Sequence, residues 1–314
     1  MVYCKSLKTK TGIKLTSIVM KLSSIKIFKV ILDYISKHHP KLDVYIKHWW
    51  IVGRPLQWKK PRYLNDKINW LKFHADMSVW ARMADKFAVR GYVKERGCEE
   101  ILNTLYGKYD SVEELMDDWS NLPNSFVIKS NNGVGSLALV KDKNNQSIEE
   151  IRQMAQDMLS CTTWNSAEPH YSLIKNCIIV EELLTDESIK EFSCSLIDYK
   201  IWCFNGKPYC IFVAYDRILN TSHHYFKCFD LDWNEHKEYM TCDSPKVQIN
   251  RPKNLNKMLE YASRLSTGNP QCRVDLYNID GKIYFGELTM TSQGGFMDYF
   301  TKEYLFAMGK QIIL

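Results

Sequence analysis

Arg273-Val274-Asp275-Leu276-Tyr277-Asn278-Ile279-Asp280-Gly281-Lys282-Ile283-Tyr284-Phe285-Gly286-Glu287-Leu288-Thr289 reads as a β-hairpin that sets two carboxylates and an arginine on one face. Asn278 and Gly281 around Ile279-Asp280 suit a type I turn closed by a left-handed glycine bulge, a common three-residue hairpin loop. That odd loop pairs Asn278 with Lys282, Asp275 with Phe285 and Arg273 with Glu287, so Asp275, Glu287, Arg273 and Thr289 share a face. Diagonal neighbours on such a ladder are close enough for both carboxylates to reach one ion. A plain two-residue Asp-Gly turn would instead send Asp275 and Glu287 to opposite faces. Hard oxygen ligands held this way suit Mg²⁺, which takes one or two carboxylates plus nucleotide phosphates. The alternative is an ordinary sheet hairpin with its charges in water.

The 314 residues allow a full core and two or three subdomains, and 45% hydrophobic with 25% charged residues is ordinary for a globular protein. The net charge of +6 is uneven: residues 1–37 carry eight lysines and one acid, Asp33, leaving the remainder at −1. A near-neutral body argues against nucleic acid as a partner. The ten cysteines form no C-x-x-C pair and sit in apolar runs such as Ile201-Trp202-Cys203-Phe204, which suggests buried thiols in a reducing compartment. The expected location is therefore cytoplasmic.

Apolar residues from Leu15 to Ile35 recur at helical spacing but are interrupted by Lys14, Lys21, Lys26 and Lys29. No run is long enough to span a bilayer, and no signal-peptide pattern is present. A basic amphipathic helix of this kind can lie on an anionic membrane, giving peripheral contact through residues 1–37; a helix packed on the domain with its lysines in water is the alternative. The expected division is a basic N-terminal helix region (1–40), a collar (41–80), a lid subdomain with a phosphate flap (81–180) and a C-terminal subdomain with the adenine hinge and metal site (181–314).

Other segments carry chemistry. Phe126–Ser136 places Lys129 at the end of a strand, followed by a loop of Asn132, Gly133, Gly135 and Ser136 whose backbone N–H groups can approach a phosphate. A strand rather than a helix follows, so the pattern is neither a Walker A loop nor a Rossmann turn. Ile178–Leu184 is a strand ending in Glu181 and Glu182, able to meet the polar edge of adenine. Lys200 lies among Trp202 and Phe204 on one strand face, where snorkelling is the default and an acid partner or a ligand phosphate the alternatives. Asp230-Leu231-Asp232 matches the short Asp-x-Asp signature of many metal-dependent glycosyltransferases, a frequent chance match.

In order, these pieces resemble the ATP-grasp fold, and most nearly its TupA-like branch, associated with teichuronopeptide and other surface-polymer synthesis. The resemblance covers roughly residues 80–314 through Asp85-Lys86, Phe126–Ser136, Val180–Leu183, Asp198-Tyr199-Lys200 with Phe204–Pro208, and Arg273–Gly295. It implies an α+β protein in which two subdomains with mainly antiparallel sheets grip ATP, beside a small helical N-terminal region. It also implies ATP and Mg²⁺ as cofactors. Lys86, Lys129 and Lys200 would contact phosphates, with the 132–136 flap above them. Glu181, Glu182 and Leu183 would hold adenine, and Asp275, Glu287 and Thr289 the metal. Arg273 and Lys129 would be catalytic, Arg273 meeting an acyl phosphate. Many members carry asparagine two residues after the metal glutamate, where this chain has Thr289. The implied reaction is carboxylate–amine ligation, with a small-molecule or glycan-linked carboxylate and an amine as partners. A kinase on the same fold, phosphorylating a hydroxyl, and a glycosyltransferase built on Asp230 and Asp232 are the other readings. On the ligase reading, Asp275→Asn or Glu287→Gln should stop turnover with the fold largely intact.

Overall fold

The computed structural model describes residues 26–132, 137–161, 165–218 and 224–314. Most of the basic N-terminus and the flap residues Gly133, Gly135 and Ser136 lie outside them.

From residue 26 to residue 95 the chain is mainly helical: α1 Lys26–His38, α2 Pro40–Val52, α3 Leu64–Leu71, α4 Met77–Ala84 and α5 Ala88–Glu95. Proline opens α2 where its missing N–H costs nothing, and left-handed Gly53 closes it by donating to the Trp49 carbonyl. Helix α5 starts three residues after Asp85. The Asp85 carboxylate accepts from the N–H groups of Phe87 and Ala88, which makes Asp85 a capping residue ahead of the helix.

Two antiparallel sheets follow. The first has the order β1-β4-β2-β3 and contains β1 Leu105–Tyr109, β2 Phe126–Ser130, β3 Leu137–Val140 and β4 Ile178–Glu181. Helices α6 Val112–Asp118 and α7 Ile148–Ser160 cover one face, where Phe126, Ile128 and Val180 meet Leu115, Ile151 and Met158. Strand alternation sends Val127 and Lys129 to the other face, toward a cleft. Ser111 caps α6, accepting from Glu114 N–H at 3.1 Å, while the Glu114 carboxylate reaches back to Asp110 N–H at 2.7 Å.

The second sheet, order β7-β6-β5-β8-β9, contains β5 Asp198–Phe204, β6 Lys207–Tyr215, β7 Tyr225–Phe229, β8 Gln271–Ile279 and β9 Lys282–Thr289. Asn205-Gly206 forms a two-residue turn, both residues at positive φ and Phe204 paired with Lys207. One face, with Ile201, Cys203, Val274 and Leu276, packs on α8 Leu255–Ser266. On the other face Trp202, Phe204 and Phe212 pack on α3 and on α9 Lys302–Lys310. The cysteines of the described residues form no disulfide with one another, and Cys98, Cys177, Cys203, Cys210, Cys228 and Cys272 are buried.

Helix α9 rests directly on the entry to α3. A Cβ at Gly309 would stand 2.2 Å from the Arg62 carbonyl oxygen and 2.8 Å from the Tyr63 carbonyl carbon. Gly309→Ala should therefore force backbone apart and cost about 1–3 kcal/mol, read as a lower urea midpoint at unchanged slope. An unchanged midpoint would mean that α9 shifts freely.

Candidate active site

A cleft of about 770 Å³ lies between the two sheets. The first sheet, its hinge and α5 contribute Lys86, Arg90, Lys129, Glu181, Glu182 and Leu183; the second contributes Asp198, Lys200, Arg273, Asp275 and Glu287.

The hairpin register differs from expectation. Ile279 pairs with Lys282 across Asp280 and Gly281, both at positive φ, so the turn has two residues. Asn278 faces Ile283 rather than Lys282, and Asp275 faces Glu287 rather than Phe285. The register slips between Asp275 and Leu276, leaving Gly286 as an extra residue, a β-bulge. A Cβ there would come within 2.9 Å of the Asp275 carbonyl oxygen, so the close strand approach needs glycine. The bulge returns Asp275 and Glu287 to one face, directly opposite each other, with Arg273 opposite Thr289.

Arg273 organises this face. Its Nε and Nη2 donate to both oxygens of Asp275, each at 2.7 Å, and Nη2 also reaches Glu287 at 2.9 Å and Thr289 at 3.0 Å. Its Nη1 donates to Ser292 Oγ at 2.6 Å. Burial disfavours the guanidinium cation, but Asp275 and Glu287 more than compensate and raise its pKa. Lys200 does not snorkel: it stands opposite Asp275 on β5 and is ion-paired to Asp198 and Asp275. Burial alone would raise the Asp275 carboxyl, yet Arg273 and Lys200 hold it at about 2. Asp198 goes the other way, raised by burial despite Lys200 beside it.

On the opposite wall Glu181 is clamped by Arg90 at 2.9 Å and Lys129 at 2.8 Å. Arg90, absent from the residues singled out in the sequence, lies four residues beyond Lys86 in α5. The Glu182 carboxylate accepts from the N–H and hydroxyl of Thr104, each at 3.2 Å, which fixes the strand end leading to Leu183. Asn132 is buried, bonded to Ser130 and Asn176, and so shapes the base of the flap. Half-buried Lys86 lies in the fields of Glu287 and Glu181; burial lowers its pKa. Lys129→Ala should weaken Mg-ATP binding at least about tenfold by calorimetry, since a charge-assisted phosphate contact contributes about 1.5–3 kcal/mol; unchanged affinity would remove Lys129 from the nucleotide site.

Among the described residues no cluster of three His, Cys, Asp or Glu side chains is set to hold a metal alone. Asp275 and Glu287 nevertheless supply two facing carboxylates, and half-exposed Glu287 has one oxygen with no partner among the described residues. Two carboxylates completed by phosphate oxygens and water suit Mg²⁺ arriving with a nucleotide. Thr289 donates to Glu287 at 2.9 Å and so orients that carboxylate. Asp230 is spent on a turn, accepting from Asp232 and Asn234 N–H groups and pairing with His236, and neither aspartate lines the cleft.

Two antiparallel sheets closing on a lysine- and carboxylate-lined cleft define an ATP-grasp architecture. Residues 66–313 match the TupA-like ATPgrasp family, and the chain belongs to it. The match begins inside α3, earlier than the resemblance at residue 80 implied. No curated protein matches the chain. Among solved structures, an L-amino acid ligase from Bacillus licheniformis is 12% identical over 83% of this chain and 57% of its own, with a TM-score of 0.47. A D-alanine–D-alanine ligase from Bacillus anthracis complexed with ATP is 15% identical over 67% of this chain and 54% of its own, with a TM-score of 0.38. This chain thus spans little more than half the length of either, and the family match carries the assignment.

Proposed function

We propose that this chain is an ATP- and Mg²⁺-dependent carboxylate–amine ligase that works through an acyl phosphate in the synthesis or modification of a cell-surface polysaccharide or teichuronopeptide-like polymer. The observation that carries the reading is the Arg273–Asp275–Glu287–Lys200 cluster facing the Glu181–Lys129–Lys86 wall within one cleft. A substrate carboxylate oxygen attacks the γ-phosphorus, the bond to the β–γ bridging oxygen breaks, and ADP leaves. The amine lone pair then attacks the acyl carbon, the nitrogen loses a proton, and inorganic phosphate leaves.

Mg²⁺ held by Asp275 and Glu287 would neutralise charge on the transferred phosphoryl group. Lys86 and Lys129 bind phosphate oxygens, and Arg273, preset by two carboxylates and Ser292, stabilises the acyl phosphate. The Glu181–Leu183 hinge seats adenine. Lys200, ion-paired to both Asp198 and Asp275, would be the side chain placed to meet a phosphate were Asp275 to hold the metal. The four-part division of the chain and a cytoplasmic site of action belong to the same reading. So does contact between residues 1–37 and an anionic membrane.

The test is oxygen scrambling in ATP labelled at the β–γ bridge, with candidate carboxylates and no amine. Carboxylate-dependent scrambling, followed by amide formation once an amine is added, is expected. A stable phosphorylated product from a hydroxyl substrate, with no amine requirement, would make the enzyme a kinase and overturn the ligase reading.

A further inference from the structure

We infer that the α1–α2 hairpin is a membrane-docking surface whose partner is an anionic lipid bilayer; this deepens the proposed membrane contact of residues 1–37 by moving its apolar footprint onto residues 30–49. Each helix has two apolar faces. On α1, Leu32 and Ile35 are half-buried, while Val30, Ile31 and Tyr34 are exposed on an adjoining face, at 66%, 47% and 58%. On α2, Val44 and His48 are buried, while Leu42 and Trp49, two helical turns apart on the opposite side, are 49% and 58% exposed. Tyr45 lies between these two on the same side and lines an aromatic groove with Trp58 and Trp70.

Charge selects the partner. Residues 26–60 hold seven lysines and one arginine against two aspartates. Asp43 is buried and paired with Lys47, and Arg54 is paired with Asp66, so both are spent inside the fold. Lys37, Lys41, Lys59 and Lys60 remain exposed, and Lys41 and Lys59 line the same groove as Leu42 and Tyr45. Exposed aliphatic residues with tryptophan and tyrosine, in a segment with exposed lysines, match the chemistry of an anionic headgroup layer above acyl chains. No helix among the described residues is long and apolar enough to cross a membrane, so the surface would lie on the bilayer.

The experiment is co-sedimentation of the full chain with vesicles of phosphatidylcholine alone and of phosphatidylcholine with an equal part of phosphatidylglycerol. Binding is expected only to the anionic vesicles, with release at about 1 M salt, where the Debye length is about 3 Å. The variant Ile31→Ser/Leu42→Ser/Trp49→Ser should partition at least about tenfold more weakly. Lys37→Glu/Lys59→Glu/Lys60→Glu should do the same through charge alone. Both should keep the Mg-ATP thermal shift of the parent, so failure here and failure of the nucleotide site are read separately. The inference is overturned if the full chain stays in the supernatant. It is also overturned if the serine variant binds like the parent, leaving residues 1–25 as the sole anchor. A concentration-dependent dimer that the serine variant abolishes, without vesicle binding, would assign the face to a second copy instead.

Discussion

Asp275→Asn is expected to destabilise the folded chain by about 3–5 kcal/mol as well as to stop phosphoryl transfer. The carboxylate is 1% exposed and lies between Arg273 and Lys200, both themselves buried. The amide keeps the shape but removes the charge, leaving two buried cations with too little to balance them. This corrects the expectation that the substitution would leave the fold largely intact. Glu287→Gln separates the two effects. Glu287 sits at the cleft mouth with its side chain 49% exposed, so its ion pair with Arg273 is screened and contributes about 1 kcal/mol or less. Glu287→Gln should therefore unfold near the parent's urea midpoint while losing Mg²⁺-dependent ADP formation. Equal midpoints for both variants would mean that Asp275 is not the keystone of the cluster. Activity retained in both would remove the metal assignment.

The second large effect concerns Lys72, just beyond α3. It is 2% exposed and has no carboxylate in ion-pair contact among the described residues; its Nζ donates to Asn69 Oδ1 at 2.7 Å and to the Gly294 carbonyl at 2.6 Å, over the Phe296 ring. Burial lowers its pKa to about 7, with Glu168 and Asp43 opposing and Lys47 assisting the drop. Against the ordinary 10.5, that corresponds to roughly 4–5 kcal/mol of cost to the charged form. Between about pH 7 and 10 the unfolded chain keeps a proton that the folded chain has shed, so this group makes stability rise with pH through that window and adds no slope below it. In Lys72→Met the rise should vanish. The difference between parent and variant urea profiles at pH 6 and pH 10 isolates it from other titrations, and parallel profiles would show that Lys72 stays charged throughout. His48 and His170, both lowered to about 4 by burial, with the Lys72 charge adding to the drop, bring a further loss of stability as pH falls from about 6.5 to 4.

Lys72 also bears on the site. With Asn65 and Asn69 it forms a buried polar stripe on the α3 side that bonds the carbonyls of Gly294, Gly295 and Met297. Gln293, Gly294 and Gly295 all have positive φ, and this strained loop carries Ser292 to Arg273. The stripe thus holds the loop that sets the guanidinium.

Local features of the sequence already determined much of this protein. The cap at Ser111, the Asn205-Gly206 turn, the strand–loop–strand at Lys129 and the shared face of Arg273, Asp275, Glu287 and Thr289 all follow from neighbours a few residues apart. Such features depend on short-range sterics and hydrogen bonds, and so can be read in order along the chain. The means by which that face arises could not be read this way: an odd loop and a two-residue turn with a bulge place the same side chains together, and Gly286 decides between them only against the partner strand. Only the tertiary structure paired Lys200 with Asp198 and Asp275, joined Arg90 to Glu181 across 91 positions, and laid Lys72 against Gly294 across 222. Those choices rest on desolvation, which depends on what finally covers each charge.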